Sequence, residues 1–210
     1  MSRSTLRPVL CLAWLSLFSL VAGCDDVVVL TDLDGFDGSP RVSPPGLVWA
    51  PARPQEELVV NLARAFREWN WGGGSCVHAS NVMDLRWVNL LKLADWWRKT
   101  YSGGESYNGL TSKLKKAKIP YYSTADGDVD VLDRATAERR GAVIFYYPAH
   151  SILFCGFSPD NQYAYVLDNN RIEEFIRIPR ERFIKNWRGF GGVAIVPTAG
   201  YPRPPLPYVR

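Results

Sequence analysis

The chain has 210 residues, 47% of them hydrophobic, with 25 lysines and arginines against 21 aspartates and glutamates. A formal charge of +4 is too small a surplus to argue for nucleic acid, and no basic stripe with interleaved aromatics runs along the sequence. The two histidines and four cysteines stand at no zinc-ligand spacing and are too few for a disulfide framework.

Residues 1–23 read as an export signal, not as part of the fold. Arg3 and Arg7 stand without an acid, and the apolar run 9–21 is too short for a comfortable membrane span. The run closes on Leu20-Val21-Ala22-Gly23-Cys24, which resembles the cleavage-and-lipidation box of bacterial lipoproteins. That resemblance implies an acylated Cys24 and an extracytoplasmic protein anchored to a bacterial membrane, either facing the periplasm or at the cell surface. An ordinary secretory signal cut near Ala22 or Gly23 is the alternative. Removal of the signal takes two arginines and no acid, so the net charge falls to about +2. Roughly 185 residues remain, enough for one domain with a full core. Of the cysteines, Cys76 and Cys155 are then left, as two thiols or as one bridge.

Residues 24–54 lack periodicity and carry Asp32-Leu33-Asp34-Gly35-Phe36-Asp37-Gly38 followed by five prolines, a linker composition. The aspartates have no glutamate at the distance a calcium loop requires. The domain is expected over 55–197. Leu58, Leu62, Ala65, Phe66 and Trp69 recur at helical spacing until Gly72-Gly73-Gly74 stops them. Beyond Ser75, a candidate N-cap, the apolar positions predict a helix broken in two before Tyr101. Helical patterns return at 110–117 and 129–140, with a short strand at 119–123 between them. The period then changes to two: strands are predicted at 142–147, 150–157, 163–167 and 175–178, followed by a helix at 180–187 and a strand at 193–196. Helices first and an antiparallel sheet second make an α+β domain, with the helical half packed on the sheet. Residues 198–210 form a proline-rich tail. The glycine run lacks the lysine and the preceding strand of a phosphate loop, so no cofactor is implied.

Cys76 is the candidate nucleophile. It follows the glycines at the first turn of a helix, where the helix dipole stabilises a thiolate and a substrate carbonyl has room to approach. His150, opening a strand, is the candidate base. His78 lies two residues after Cys76 on the same helix, and side chains at i and i+2 point apart, so it reads as packing. Cys155, flanked by Phe154 and Phe157, reads as a buried hydrophobe. Trp71 beside the glycines is placed to line a cleft.

These segments resemble the papain-like cysteine peptidases at three separated places. Gly74-Ser75-Cys76 repeats the Gly-Ser-Cys of that family's nucleophile segment, and the family's oxyanion glutamine, six residues upstream, falls on Asn70. The family's histidine segment falls on His150-Ser151-Ile152 with Gly156-Phe157, and its asparagine segment on Asp168-Asn169-Asn170. Val77 replaces the family's aromatic residue, and only 74 residues separate Cys76 from His150, about half the archetypal spacing. The chain is therefore most similar to compact bacterial members, such as bacteriocin-processing peptidase-like and transglutaminase-like domains. The resemblance implies a papain-like fold and a thiol hydrolase of peptide or isopeptide bonds. In it Cys76 is the nucleophile, His150 the base, Asn169 the group orienting the histidine and Asn70 an oxyanion donor. Asp168 is the rival for the orienting role, because only one of two strand neighbours can face the ring. Acyl transfer and a catalytically silent binding module remain as alternatives.

Overall fold

A computed structural model describes residues 50–51, 58–147 and 149–202. The expected signal, Cys24, most of the linker and residues 203–210 of the expected proline-rich tail lie outside the described residues. Seven strands form one antiparallel sheet: β1 (Ala50–Pro51), β2 (Tyr121–Thr124), β3 (Ala142–Tyr147), β4 (His150–Phe157), β5 (Tyr163–Asp168), β6 (Arg171–Pro179) and β7 (Ala194–Pro197). Their order across the sheet is β1-β6-β5-β4-β3-β7-β2, which puts β4 at the centre. The helices are α1 (Cys76–Trp87), α2 (Leu91–Thr100), α3 (Tyr107–Lys116), α4 (Asp130–Ala137) and α5 (Arg180–Gly189). The molecule is thus α+β, a mixture of helices with an antiparallel sheet.

Alternation along the strands divides the apolar residues between two faces. Ile144, Ile152, Phe154 and Val166 meet Leu132 and Ala135 of α4 and Phe183 and Trp187 of α5. On the other face Val143 and Ile195 meet Val77 and Leu85 of α1, Trp97 of α2 and Leu110 of α3. Leu153, Cys155 and Leu167 pack against Met83 and Trp87 of α1. The helices therefore cover both faces of the sheet: α1, α2 and α3 lie against one face, whereas α4, expected in the same helical half, joins α5 on the other.

Two expectations fail. Residues 58–69 do not form a long helix; the only helical turn there is a 3-10 turn at Arg64–Phe66. Val60 and Leu62 are both buried, an alternating pattern, and the Val60 N–H bonds the Cys155 carbonyl at 3.1 Å. Tertiary pairing has overridden a weak helical period. The pairing needs Gly156, which sits at φ +111° and where a Cβ would come within 2.8 Å of Val59. Residues 50–51, assigned to the linker, instead pair with Arg177 and Ile176 as the end strand of the sheet. Proline is tolerated there because an end strand has no outer neighbour that would need its missing N–H.

α1 differs from the other helices. Every residue from Cys76 to Leu85 is buried, including His78, Ser80, Asn81 and Asp84. Of these polar side chains, Ser80 meets Asn169 and the Ser151 carbonyl and His78 bonds Trp97 through Nδ1, while the Asn81 amide finds no hydrogen-bond partner among the described residues.

Candidate active site

The approach to α1 is built by three successive left-handed residues, Gly72, Gly73 and Gly74, at φ 88°, 56° and 75°. Side chains rarely adopt such a run, and at Gly72 and Gly73 nothing lies within 4 Å of where a Cβ would stand. The Ser75 hydroxyl donates to the Gly72 carbonyl at 2.6 Å and accepts from the Gly103 N–H at 3.3 Å. It ties the loops together and makes no side-chain N-cap bond to the helix, contrary to expectation.

Cys76 opens α1, and its Sγ lies 3.4 Å from two backbone groups. It donates to the Gly74 carbonyl and accepts from the Ser151 N–H on β4. The residue is 1% exposed, so the expected partly open thiol is instead enclosed, in polar surroundings. Peptide geometry places the Cα of His150 within about 6 Å of the sulfur, because Ser151 is its neighbour.

His150 starts β4 as expected, and its Nε2 stands 2.9 Å from Oδ1 of Asp168, the last residue of β5. Asp168 also accepts the Asn170 N–H at 2.8 Å, which fixes the carboxylate. The Asn170 amide nitrogen lies 3.5 Å from the same His150 nitrogen. Asn169 therefore does not orient the histidine. Strand alternation sends the Asp168 side chain to the ring and that of Asn169 the other way. Asn169 is fully buried, and its Nδ2 lies 2.8 Å from Ser151 O, 3.0 Å from Cys76 O and 3.0 Å from Ser80 Oγ.

Asn70 is drawn to the histidine side. Its N–H bonds the Asn169 carbonyl at 2.8 Å, its Nδ2 donates to Asn170 Oδ1 at 3.2 Å, and its Oδ1 accepts from Gly72 N–H at 3.3 Å. Neighbouring Trp71 carries the Arg98 guanidinium 4.8 Å above its ring, and Glu68 bridges Arg98 and Arg86 at 2.9 and 2.7 Å. This ion network anchors the segment that presents Asn70 to the glycines.

The remaining candidates lie apart from this arrangement. His78 is buried, stacked on Tyr101 at 5.7 Å and hydrogen-bonded through Nδ1 to Trp97 Nε1 at 3.3 Å. Burial, aided by the Lys113 charge, lowers its pKa to about 4, so the imidazole is neutral near pH 7. Cys155 is a separate free thiol in the sheet interior; its Sγ lies 3.6 Å from the Leu153 carbonyl, and burial pushes its pKa up. Among the described residues, no three His, Cys, Asp or Glu side chains are grouped to hold a metal ion. No described helix is long and apolar enough to cross a membrane.

Sequence reasoning missed Ser80, Asn170 and the Ser151 N–H. Ser80 had a signal: Cys76, Ser80 and Asp84 recur every four residues, which puts a polar line on one side of α1. The Ser151 N–H had none, because a backbone donor is invisible until strand register is known. Comparison with protein-family models, curated proteins and solved structures found no match to this chain.

Proposed function

We propose that this chain is a cysteine-dependent hydrolase of papain-like fold that cleaves peptide or isopeptide bonds. One observation carries the reading: the sulfur at the start of α1 accepts an N–H from the residue after His150, whose ring is backed by Asp168. A thiol, an imidazole and a carboxylate in sequence are the parts of an activated nucleophile. In the proposed reaction the His150 nitrogen not held by Asp168 takes the Cys76 proton. The helix N-terminus and the Ser151 N–H stabilise the thiolate, which attacks the carbonyl carbon. The oxyanion receives the Cys76 N–H and the second hydrogen of the Asn70 amide, the first being given to Asn170. Protonated His150 then returns its proton to the leaving amine, and water releases the acyl group.

Acyl transfer to an amine is the second reading, open to the same thiol because a thioester intermediate is attacked by an amine as well as by water. At 1% exposure, neither substrate nor acceptor reaches the sulfur unless the walls part. The N-terminal sequence adds the proposal that the domain works outside the cytoplasm on a lipid at Cys24, as a compact bacterial relative of the papain-like peptidases. The test is alkylation of the full chain with iodoacetamide from pH 5 to 9, read residue by residue. Cys76 is expected to react with a midpoint well below that of an ordinary thiol, and His150→Ala to abolish the advantage. Labelling of Cys76 no faster than of Cys155 would refute thiol chemistry. Product analysis with an added amine separates transfer from hydrolysis.

A further inference from the structure

Asp168-Asn169-Asn170 joins β5 to β6 by a short turn, and its residues divide between two parts of the site. Asp168 and Asn170 reach His150, and Asn170 also holds Asn70. Asn169 turns inward, to the nucleophile. We infer that Asn169 is the positioning residue of Cys76: its buried amide ties the Cys76 carbonyl to the Ser151 carbonyl and thereby holds the sulfur against the Ser151 N–H.

The contacts close a ring through three elements. Cys76 is gripped at both ends, its carbonyl by Asn169 at 3.0 Å and its sulfur by the Ser151 N–H at 3.4 Å. Ser151 is likewise gripped at both ends, because its carbonyl accepts from Asn169 at 2.8 Å. A planar amide has two hydrogens, and three acceptors surround this one. Ser80 is the dispensable third, since its hydroxyl also donates to the Ser151 carbonyl at 3.4 Å. The orientation of the amide is fixed: turned over, its oxygen would face two carbonyl oxygens. Oδ1 finds no donor among the described residues, so the residue is kept for its N–H groups. The backbone carbonyl of Asn169 accepts from Asn70, so one residue sets nucleophile and oxyanion donor together. Apolar contacts through Val77, Val82 and Leu85 already hold α1 to the sheet. What Asn169 adds is the position of the sulfur.

This inference rests on the proposed thiol chemistry, and its test keeps the two apart. Iodoacetamide labelling of Cys76 is measured from pH 5 to 9 in the full chain, in Asn169→Leu, which keeps the volume without the donors, and in Asn169→Asp. Protection of Cys155 reports an intact fold. The expected result is a midpoint for Cys76 raised by about one unit in Asn169→Leu, or about tenfold slower labelling at pH 6, with Cys155 still protected. Asn169→Asp, whose carboxylate faces two carbonyls, is expected to lose as much once ionised. A lowered midpoint in the parent that neither variant moves would overturn the inference and leave the thiol chemistry standing. Loss of Cys155 protection in both variants would also overturn it, by making Asn169 a folding residue. An ordinary midpoint in the parent would overturn both.

Discussion

Cys76 and Cys155 are equally hidden, at 1% and 0% exposure, yet their surroundings differ in kind. Cys76 lies at a helix start between a backbone carbonyl and the N–H of Ser151, the residue that follows the carboxylate-backed His150. Cys155 lies mid-strand among Leu153, Tyr165 and Leu167, where burial raises its pKa and the Asp84 charge adds to the rise. The Arg67 charge offsets this only in part. Under the proposed thiol chemistry, enclosure is not what separates the two; what matters is whether the enclosing atoms favour the anion.

The contrast predicts a large asymmetry. Cys76→Ala is expected to lower turnover by at least about four orders of magnitude, whereas Cys155→Ala leaves it nearly unchanged, as steady-state kinetics with a peptide substrate would show. Asp168→Asn is expected to cost roughly two to four orders of magnitude by offering the histidine the wrong partner atom. Asn170 reaches the same His150 nitrogen at 3.5 Å, against 2.9 Å for Asp168, and brings no charge, so Asn170→Ala is expected to cost less than Asp168→Asn in the same assay.

Stability should reverse the order of the two cysteines. Cys155→Ser puts a hydroxyl into an apolar cluster and is expected to cost about 1–3 kcal/mol in urea unfolding. Cys76→Ser, among polar backbone groups, should cost less.

The smallest effects are pH-dependent. Asp84 is fully buried beside Arg140 and Gly141, and burial raises its pKa to about 8 from an ordinary 3.8. Between pH 4 and 8 the folded chain keeps a proton that the unfolded chain has released, so this group makes stability fall as pH rises through that window. Asp84→Asn is expected to match the parent at pH 4 and to gain on it steadily up to pH 8, as melting temperatures measured across that range would show. His78 has the opposite slope. With its pKa lowered from 6.5 to about 4, the unfolded chain binds a proton that the folded chain refuses, so stability rises with pH across that interval. Melting temperatures of His78→Gln should show a flatter acid limb.

Much of this was legible in the sequence where one face or one turn decides the outcome. The glycine run marked the start of α1, and the two-residue period marked β3, β4, β5 and β7 almost to the residue. The phase of Asp168 and Asn169 was not legible, because alternation says that one faces the histidine without saying which; that depends on the register of β5 against β4. The segment 58–69 misled because Leu58, Leu62 and Phe66 satisfy a helical period while packing along an extended path. The enclosure of Cys76 was likewise hidden, since β4, whose Ser151 N–H meets the sulfur, is distant in sequence.

The short β1 has a consequence for association. Among the described residues it pairs with Ile176 and Arg177 of β6, and the same strand carries Arg171, Glu173 and Glu174. Arg67 caps the Ile172 carbonyl at 2.6 Å, and Arg64 pairs with Glu173 at 3.5 Å. A foreign strand seeking to extend the sheet there would have to displace a guanidinium and desolvate carboxylates, which discourages edge-to-edge aggregation.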